Sequence, residues 1–262
     1  MLHKTIDGWL QEARTESPRG HLIGMVVPHA GHRYSGRVAA YAFTHLMGLH
    51  PELVAVISPL HSPIPGRIAS TAHRAYSTPL GAIEVDQSTL QQLEDMLQKA
   101  GELKITRVAH DREHSLEIEL PFLQVALEQP FKLLPLMLRD QSEATARSVG
   151  AALAETLRSR AALIVASSDL SHFYPQDVAE RLDGEMLRRI EAFDPQSVLE
   201  AEEQGVGFAC GRGAIAATLW STKALGADRI QVVGYATSGD VTQDYESVVG
   251  YGAALILRSE QL

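Results

Sequence analysis

The amino-acid sequence predicts an α/β fold in which a largely parallel central sheet is flanked by helices. Short apolar runs rich in Val, Ile and Leu alternate along the chain with segments of helical periodicity. Near-continuous apolar strands are typical of sheets whose two faces are both covered by helices. The 262 residues, 45% of them hydrophobic, suffice for a sizeable core, and no repeat or long linker divides them. We therefore predict a single α/β domain over residues 1–262.

Five runs have the apolar, β-branched composition of buried strands. They are Leu22–Val27, Leu53–Ser58, Leu163–Ser167, Gln231–Gly234 and Ala253–Leu257. Five further segments carry the spacing and end signals of helices. They are Gly36–Met47, Asp86–Ala100, Ser142–Ser159, Gln176–Ala192 and Gly213–Leu225. The segment Ser115–Leu127 fits both periods, and because Pro121 would kink a helix, we expect a short helix with an irregular middle.

The composition excludes several classes of function. A net charge of −9 argues against a nucleic-acid-binding protein, which would need a basic face. The single cysteine cannot form an internal disulfide. The first residues lack the apolar core of a signal peptide, and no run reaches the ~18–20 apolar residues of a membrane-spanning helix. We therefore expect a soluble, cytoplasmic protein without nucleic-acid or membrane partners.

Polar residues follow the predicted strands at the points where the strands end. His29 follows the first strand, His61 the second, and Asp169 and His172 the third. Loops at the C-terminal ends of parallel strands form the binding sites of α/β proteins. A single histidine in such a loop is most often an ordinary hydrogen-bonded residue, but the joint pattern of His29, His61 and His172 predicts a shared site.

Three further residues are candidates whose roles the residues alone leave open. Asp169 either caps the following segment or orients His172, pairs with it in acid–base chemistry, or acts as a second ligand. His114 lies in a charged run directly before an apolar segment and is a candidate for a site wall. Cys210 lies between glycines before a predicted helix, where it could be a buried small residue, a metal ligand or a nucleophile.

Several longer motifs resemble the Memo family, which in prokaryotes is known as AmmeMemoRadiSam system protein B. They are VVPHAGHRYSG, DREHSLEIELPFLQ, SSDLSH, ACGRGAIAA and YATSGDVTQDYESVVGYGA. The resemblance extends from about residue 22 to residue 257. The family's fold is similar to that of the LigB-type class III extradiol dioxygenases, which are non-haem iron enzymes.

The resemblance implies a metal site formed by His29, His61 and Cys210, with Asp169, His172 and His114 lining the same pocket. The related dioxygenases bind Fe(II) with two histidines and a carboxylate, and Cys210 stands in the place of that carboxylate. Fe(II) is therefore the expected metal, with Cu or Zn as alternatives. The chain departs from the family at two positions. Leu60 replaces a polar residue before His61, and His32 stands where tyrosine is common.

These features support a redox or dioxygenase-type enzyme of unknown substrate as the leading hypothesis. His172 would be the acid–base residue, Asp169 would orient it, and His114 would line the pocket. One alternative is a metal-free hydrolase with Cys210 as nucleophile and His172 as base. Another is a non-enzymatic adaptor whose pocket binds a small molecule or a peptide. The family context also implies functional association with radical-SAM and AMMECR-type proteins.

Overall fold

A mixed sheet forms the centre of the fold in the computed structural model, which describes residues 1–16, 18–101, 103–127 and 129–260. The strands are β1 (His21–Val27), β2 (Leu53–Pro59), β3 (Ile68–Thr71), β4 (Ala75–Thr78), β5 (Gly81–Glu84), β6 (Ile105–Val108), β7 (Lys132–Leu138), β8 (Ala162–Ser167), β9 (His172–Tyr174), β10 (Arg229–Thr237) and β11 (Val248–Arg258). The helices are α1 (Leu2–Glu12), α2 (His32–Phe43), α3 (Gln87–Gly101), α4 (Leu120–Leu127), α5 (Glu143–Leu157), α6 (Gln176–Glu191), α7 (Pro195–Glu203), α8 (Arg212–Ala224) and α9 (Gly239–Thr242).

The strand order places three site-bearing strands side by side. The sheet runs β10–β11–β1–β8–β2–β7–β3–β6, with β9 paired to β11. The central strands β1, β8, β2 and β7 are parallel neighbours, whereas β11 and β3 pair antiparallel with β1 and β7. The predicted α/β fold with a largely parallel central sheet is confirmed. The loops that follow β1, β8 and β2 consequently meet at one edge of the sheet.

Apolar residues on both faces of the sheet explain why the strand sequences lack alternation. Val54 and Val56 of β2 pack in a cluster with residues of α1, α2 and α4. The intervening Leu53, Ala55 and Ile57 pack in a second cluster with residues of α3, α5 and α8. Full burial of a Val, Leu or Ile side chain contributes about 1.5–3 kcal/mol, so this double coverage holds the strand ends in place.

The ten predicted strands and helices are confirmed, with ends shifted by up to five residues. The prediction for Ser115–Leu127 is wrong in where it places the irregularity. A single 3₁₀ turn at Glu117–Glu119 precedes α4, and Pro121 lies in the first turn of α4, where a backbone N–H needs no helical partner.

The central strand β7 is a feature that the sequence prediction missed. Its apolar run contains Pro135, and a proline argues against a central strand because it cannot donate to the ladder. The pairing of β7 with β3 covers only Met137 and Leu138. The missing N–H of Pro135 therefore removes no hydrogen bond from that ladder. The Pro135 carbonyl instead accepts a hydrogen bond from Ser70 Oγ at 2.6 Å.

Within the described ranges, no helix combines the length and the apolar character needed to cross a bilayer.

Candidate metal centre

His29 lies directly beyond β1 and is only 2% exposed. Its N–H and that of Ala30 donate to Asp169 Oδ1 over 2.8 and 3.1 Å, which joins the loop after β1 to the loop after β8. On the ring, Nδ1 lies 2.8 Å from Ser167 Oγ, and Nε2 lies 3.2 Å from Cys210 Sγ. Burial lowers the pKa of His29 to about 4. The imidazole is therefore neutral, which is the form that binds a metal.

Cys210 is held beside His29 by the backbone of Asp169. The Cys210 N–H donates to Asp169 O over 3.1 Å, and the Asp169 N–H donates to Cys210 Sγ over 3.3 Å. Burial, aided by the negative charge of Asp169, raises the pKa of the Cys210 thiol to about 12. Without a metal, Cys210 is thus a thiol. A bound metal favours the thiolate, and its binding displaces the proton.

The turn that carries Cys210 depends on a glycine and a glutamine. The Gly211 N–H donates to Ser168 Oγ over 2.8 Å, and a Cβ at Gly211 would lie 2.7 Å from the Ser167 carbonyl oxygen. Only glycine permits this approach of the turn to the end of β8. On the other side, Gln141 Nε2 donates to Cys210 O over 2.7 Å, so the turn is fixed from both sides.

His61 follows β2, and its side chain is 47% exposed. Its N–H donates to Glu113 Oε2 over 2.6 Å, and its Nδ1 lies 3.1 Å from both oxygens of that carboxylate. The N–H groups of His114 and Ser115 also donate to Glu113 Oε1, each over 3.0 Å. Burial alone would raise the pKa of Glu113, but the hydrogen bonds outweigh it and hold that pKa well below its ordinary value. The hydrogen bond to Glu113 raises the pKa of His61.

One ligand atom from each of His29, His61 and Cys210 falls within 4.8 Å of the other two, so this group could hold a metal ion. In both histidines Nδ1 is engaged with a neighbour, Ser167 or Glu113, which leaves Nε2 as the ligand atom; in His29 this atom already contacts Cys210 Sγ. Two imidazoles and a thiolate suit iron, copper and zinc better than magnesium or calcium.

The other two predicted histidines, His114 and His172, occupy different places around this group. The His114 ring lies 6.1 Å from that of His29 and 6.5 Å from that of His61, between centroids. His172 begins β9, and its Nδ1–H donates to Leu170 O over 2.9 Å. With Cys210 it lines a neighbouring cavity of about 260 Å³. Of the three histidines that follow predicted strands, His29 and His61 come together. The third histidine beside them is His114.

Asp169 has different partners from those expected of a residue that orients His172. Its carboxylate accepts the N–H groups of His29 and Ala30, and the hydrogen bonds of the described residues include none between that carboxylate and His172. Asp169 thus holds together the segments that carry His29 and Cys210.

The sequence prediction missed the residues that support the ligands, namely Glu113, Ser167 and Gln141. Glu113 stands beside His114 in the Glu-His-Ser motif, and its position in that motif could have identified it as a site residue. Ser167 and Gln141 carry no comparable signal, since their contacts depend on packing between segments distant in sequence.

Comparison with known proteins identifies the family. The family model of Memo-like proteins matches residues 1–255. The chain belongs to the Memo family. A MEMO1 family protein of Nitrosopumilus maritimus is 36% identical over 232 residues, which cover 88% of this chain and 83% of the relative. A MEMO1 family protein of Methanopyrus kandleri is 37% identical over 240 residues, which cover 90% of this chain and 84% of the relative.

A solved structure supports the fold of this Memo-family protein. An uncharacterized protein of Escherichia coli K12, JW3007, superposes with a TM-score of 0.52 and 13% identity, covering 88% of this chain and 99% of that chain. At this level of identity the likeness concerns the fold alone.

Proposed function

We propose that this Memo-family protein binds one transition-metal ion through His29, His61 and Cys210 and uses it as a redox or dioxygenase-type enzyme. The convergence of three donor atoms within 4.8 Å supports this proposal. Fe(II) is the favoured ion, with Cu or Zn as alternatives. Bound iron would supply one-electron and oxygen chemistry, which side chains alone do not provide.

The cavity beside Cys210 is the proposed binding site for a small substrate. Its lining combines the rings of Tyr174 and Phe208 with the charged Glu202 and Arg212. His172 faces this cavity, and because its Nδ1–H is held by Leu170 O, its Nε2 is free to take or give a proton. We assign the acid–base role to His172, while His114 lines the metal group beside His29 and His61.

The geometry favours this proposal over a metal-free cysteine hydrolase. Cys210 Sγ lies against Nε2 of His29, not against His172. Burial raises the pKa of Cys210 and lowers that of His29, so the two form a neutral pair. A nucleophilic cysteine instead needs a lowered pKa and a basic partner. The adaptor hypothesis would gain support if a variant lacking two metal ligands kept its full biological activity.

Protein prepared anaerobically with Fe(II) and then desalted should retain about one metal ion per chain, because the donors are already assembled. Elemental analysis for Fe, Cu and Zn on the same sample measures both content and identity. Retention of zinc alone would contradict the redox assignment. Retention of no metal by protein with a native circular dichroism spectrum would overturn the metal site itself.

Replacement of Glu113 with Gln should weaken Fe(II) binding about 10–100-fold, the range typical of residues that hold a ligand in place. The amide has no charge to strengthen the His61 imidazole as a ligand, and its NH₂ group cannot accept the N–H groups that Glu113 now accepts. Competition titration with a chelator of known affinity gives the measurement.

Glu117→Gln is the matched control for Glu113→Gln. Glu117 is exposed in the same segment and contributes no atom to the metal group. The same chemical change there should leave Fe(II) affinity unaltered. Equal losses in the two variants would show that net charge, and not the contact with His61, determines the affinity.

A further inference from the structure

Glu119 is a buried carboxyl group connected to the metal site through one hydroxyl. It ends the 3₁₀ turn before α4 and is 1% exposed. Its Oε1 lies 2.8 Å from Ser167 Oγ, the same atom that contacts Nδ1 of His29 over 2.8 Å. Glu119, Ser167 and His29 therefore form a continuous hydrogen-bonded chain.

The number of hydrogens available to Ser167 determines the direction of each bond. A hydroxyl has one hydrogen to donate and two lone pairs that accept. Ser167 Oγ has three partners, and one of them, the Ser115 carbonyl oxygen at 2.5 Å, can only accept. If the hydrogen points to Ser115, both Glu119 and His29 must donate to Ser167.

The alternative arrangement leaves a repulsive contact. If Glu119 were ionised, it would take the Ser167 hydrogen, and a lone pair of Ser167 would face the Ser115 carbonyl oxygen at 2.5 Å. Two oxygens without a hydrogen between them are not stable at that distance. A protonated Glu119 supplies the missing hydrogen, and each of the three contacts of Ser167 Oγ then contains one hydrogen.

The burial of Glu119 also favours its protonated form. It raises the pKa of Glu119 well above its ordinary value, the hydrogen bond between Glu119 and Ser167 opposes this, and the negative charge of Asp169 adds to the rise. No positive group of the described residues appears among these influences. An ionised carboxylate here would be a buried charge without a partner, which is strongly unfavourable.

We propose that Glu119 is a protonated carboxylic acid at neutral pH and acts through Ser167 as a positioning residue for His29. Its O–H donates to Ser167, which leaves the second Ser167 lone pair for the His29 Nδ1–H. His29 is thereby fixed with Nε2 unprotonated and directed at Cys210. The consequence for metal binding rests on the function proposed above, but the protonation and the tautomer are properties of the metal-free protein.

The first test uses metal-free protein at pH 7. An infrared difference spectrum between wild type and Glu119→Gln should contain the C=O stretch of a protonated carboxyl group, shifted by ¹³C labelling of glutamate. Nitrogen NMR should show His29 protonated at Nδ1. A spectrum with carboxylate bands only, or His29 protonated at Nε2, would overturn the proposal without bearing on whether the site binds a metal.

The second test compares two substitutions at Glu119 by anaerobic Fe(II) titration. Glu119→Gln keeps an N–H donor of similar shape and should retain wild-type affinity and the His29 tautomer. Glu119→Leu removes the donor and should lower affinity about tenfold, as expected for loss of a residue that orients a ligand. Equal affinities of the two variants, whether lowered or not, would contradict the role assigned to the donated hydrogen.

Discussion

Replacement of Cys210 with Ser should abolish the retention of Fe(II) after desalting, and His61→Ala should do the same. Each change removes one of the three donors that converge within 4.8 Å. Serine preserves the size of the side chain but is not deprotonated by a metal as a thiol is. The loss should exceed the 10–100-fold effect of residues that merely orient a ligand. Elemental analysis and anaerobic competition titration measure it.

His114→Ala is the matched control for the histidine variant. The His114 side chain is 57% exposed and its ring lies beside both histidine ligands, but it contributes no atom to the metal group. The His114→Ala variant should retain about one Fe(II) per chain. Loss of metal in His114→Ala together with retention in His61→Ala would show that His114 is the ligand.

Unfolding experiments separate loss of the ligand from loss of the fold. Fe(II) at a hundred times its dissociation constant stabilises a native protein by about 2.7 kcal/mol. Wild type should show this shift, whereas Cys210→Ser should unfold at the same denaturant concentration with and without Fe(II). A metal-dependent shift that persisted in Cys210→Ser would place the binding site elsewhere.

The fold could be predicted from the sequence where burial is uniform and signals are local. The apolar runs of β1, β2 and β8 are recognisable as strands because both faces of the sheet are covered, which makes the runs uniformly apolar. The run that forms β7 is equally apolar, but Pro135 argues against a central strand. That objection fails only because β3 pairs with β7 beyond the proline, a fact of tertiary structure.

The candidate site likewise contains residues that local sequence signals predict and residues that depend on tertiary contacts. His29 and His61 are predictable because each follows a strand, and neighbouring parallel strands bring their ends together. Cys210 precedes α8 and reaches the site through the contact of Gly211 with the end of β8, so the residues alone left its role open and only the family resemblance implied that it is a metal ligand. Ser167 and Glu119 act through hydrogen bonds between distant segments, which no spacing rule anticipates.

Substitution of Gly250 with Ala should destabilise the metal-free protein by at least about 3 kcal/mol, because overpacking and broken buried hydrogen bonds act together. A Cβ at Gly250 would lie 1.8 Å from Oδ2 of Asp183, a side chain with no exposed surface. Asp183 accepts the Ser171 N–H over 2.8 Å and the Tyr235 hydroxyl over 2.9 Å. It cannot move without releasing these partners. Urea unfolding gives the free-energy difference.

Gly184→Ala is the control, since Gly184 neighbours Asp183 in α6 and its Cβ would meet nothing within 4 Å. Alanine is favoured over glycine in helices by about 0.5–1 kcal/mol, so this variant should be as stable as wild type or more so. Gly250 also exchanges backbone hydrogen bonds with Leu170 and Ser171, which lie between Asp169 and His172. Gly250→Ala should therefore weaken Fe(II) binding as well, and wild-type stability in that variant would mean that Asp183 does not anchor this loop.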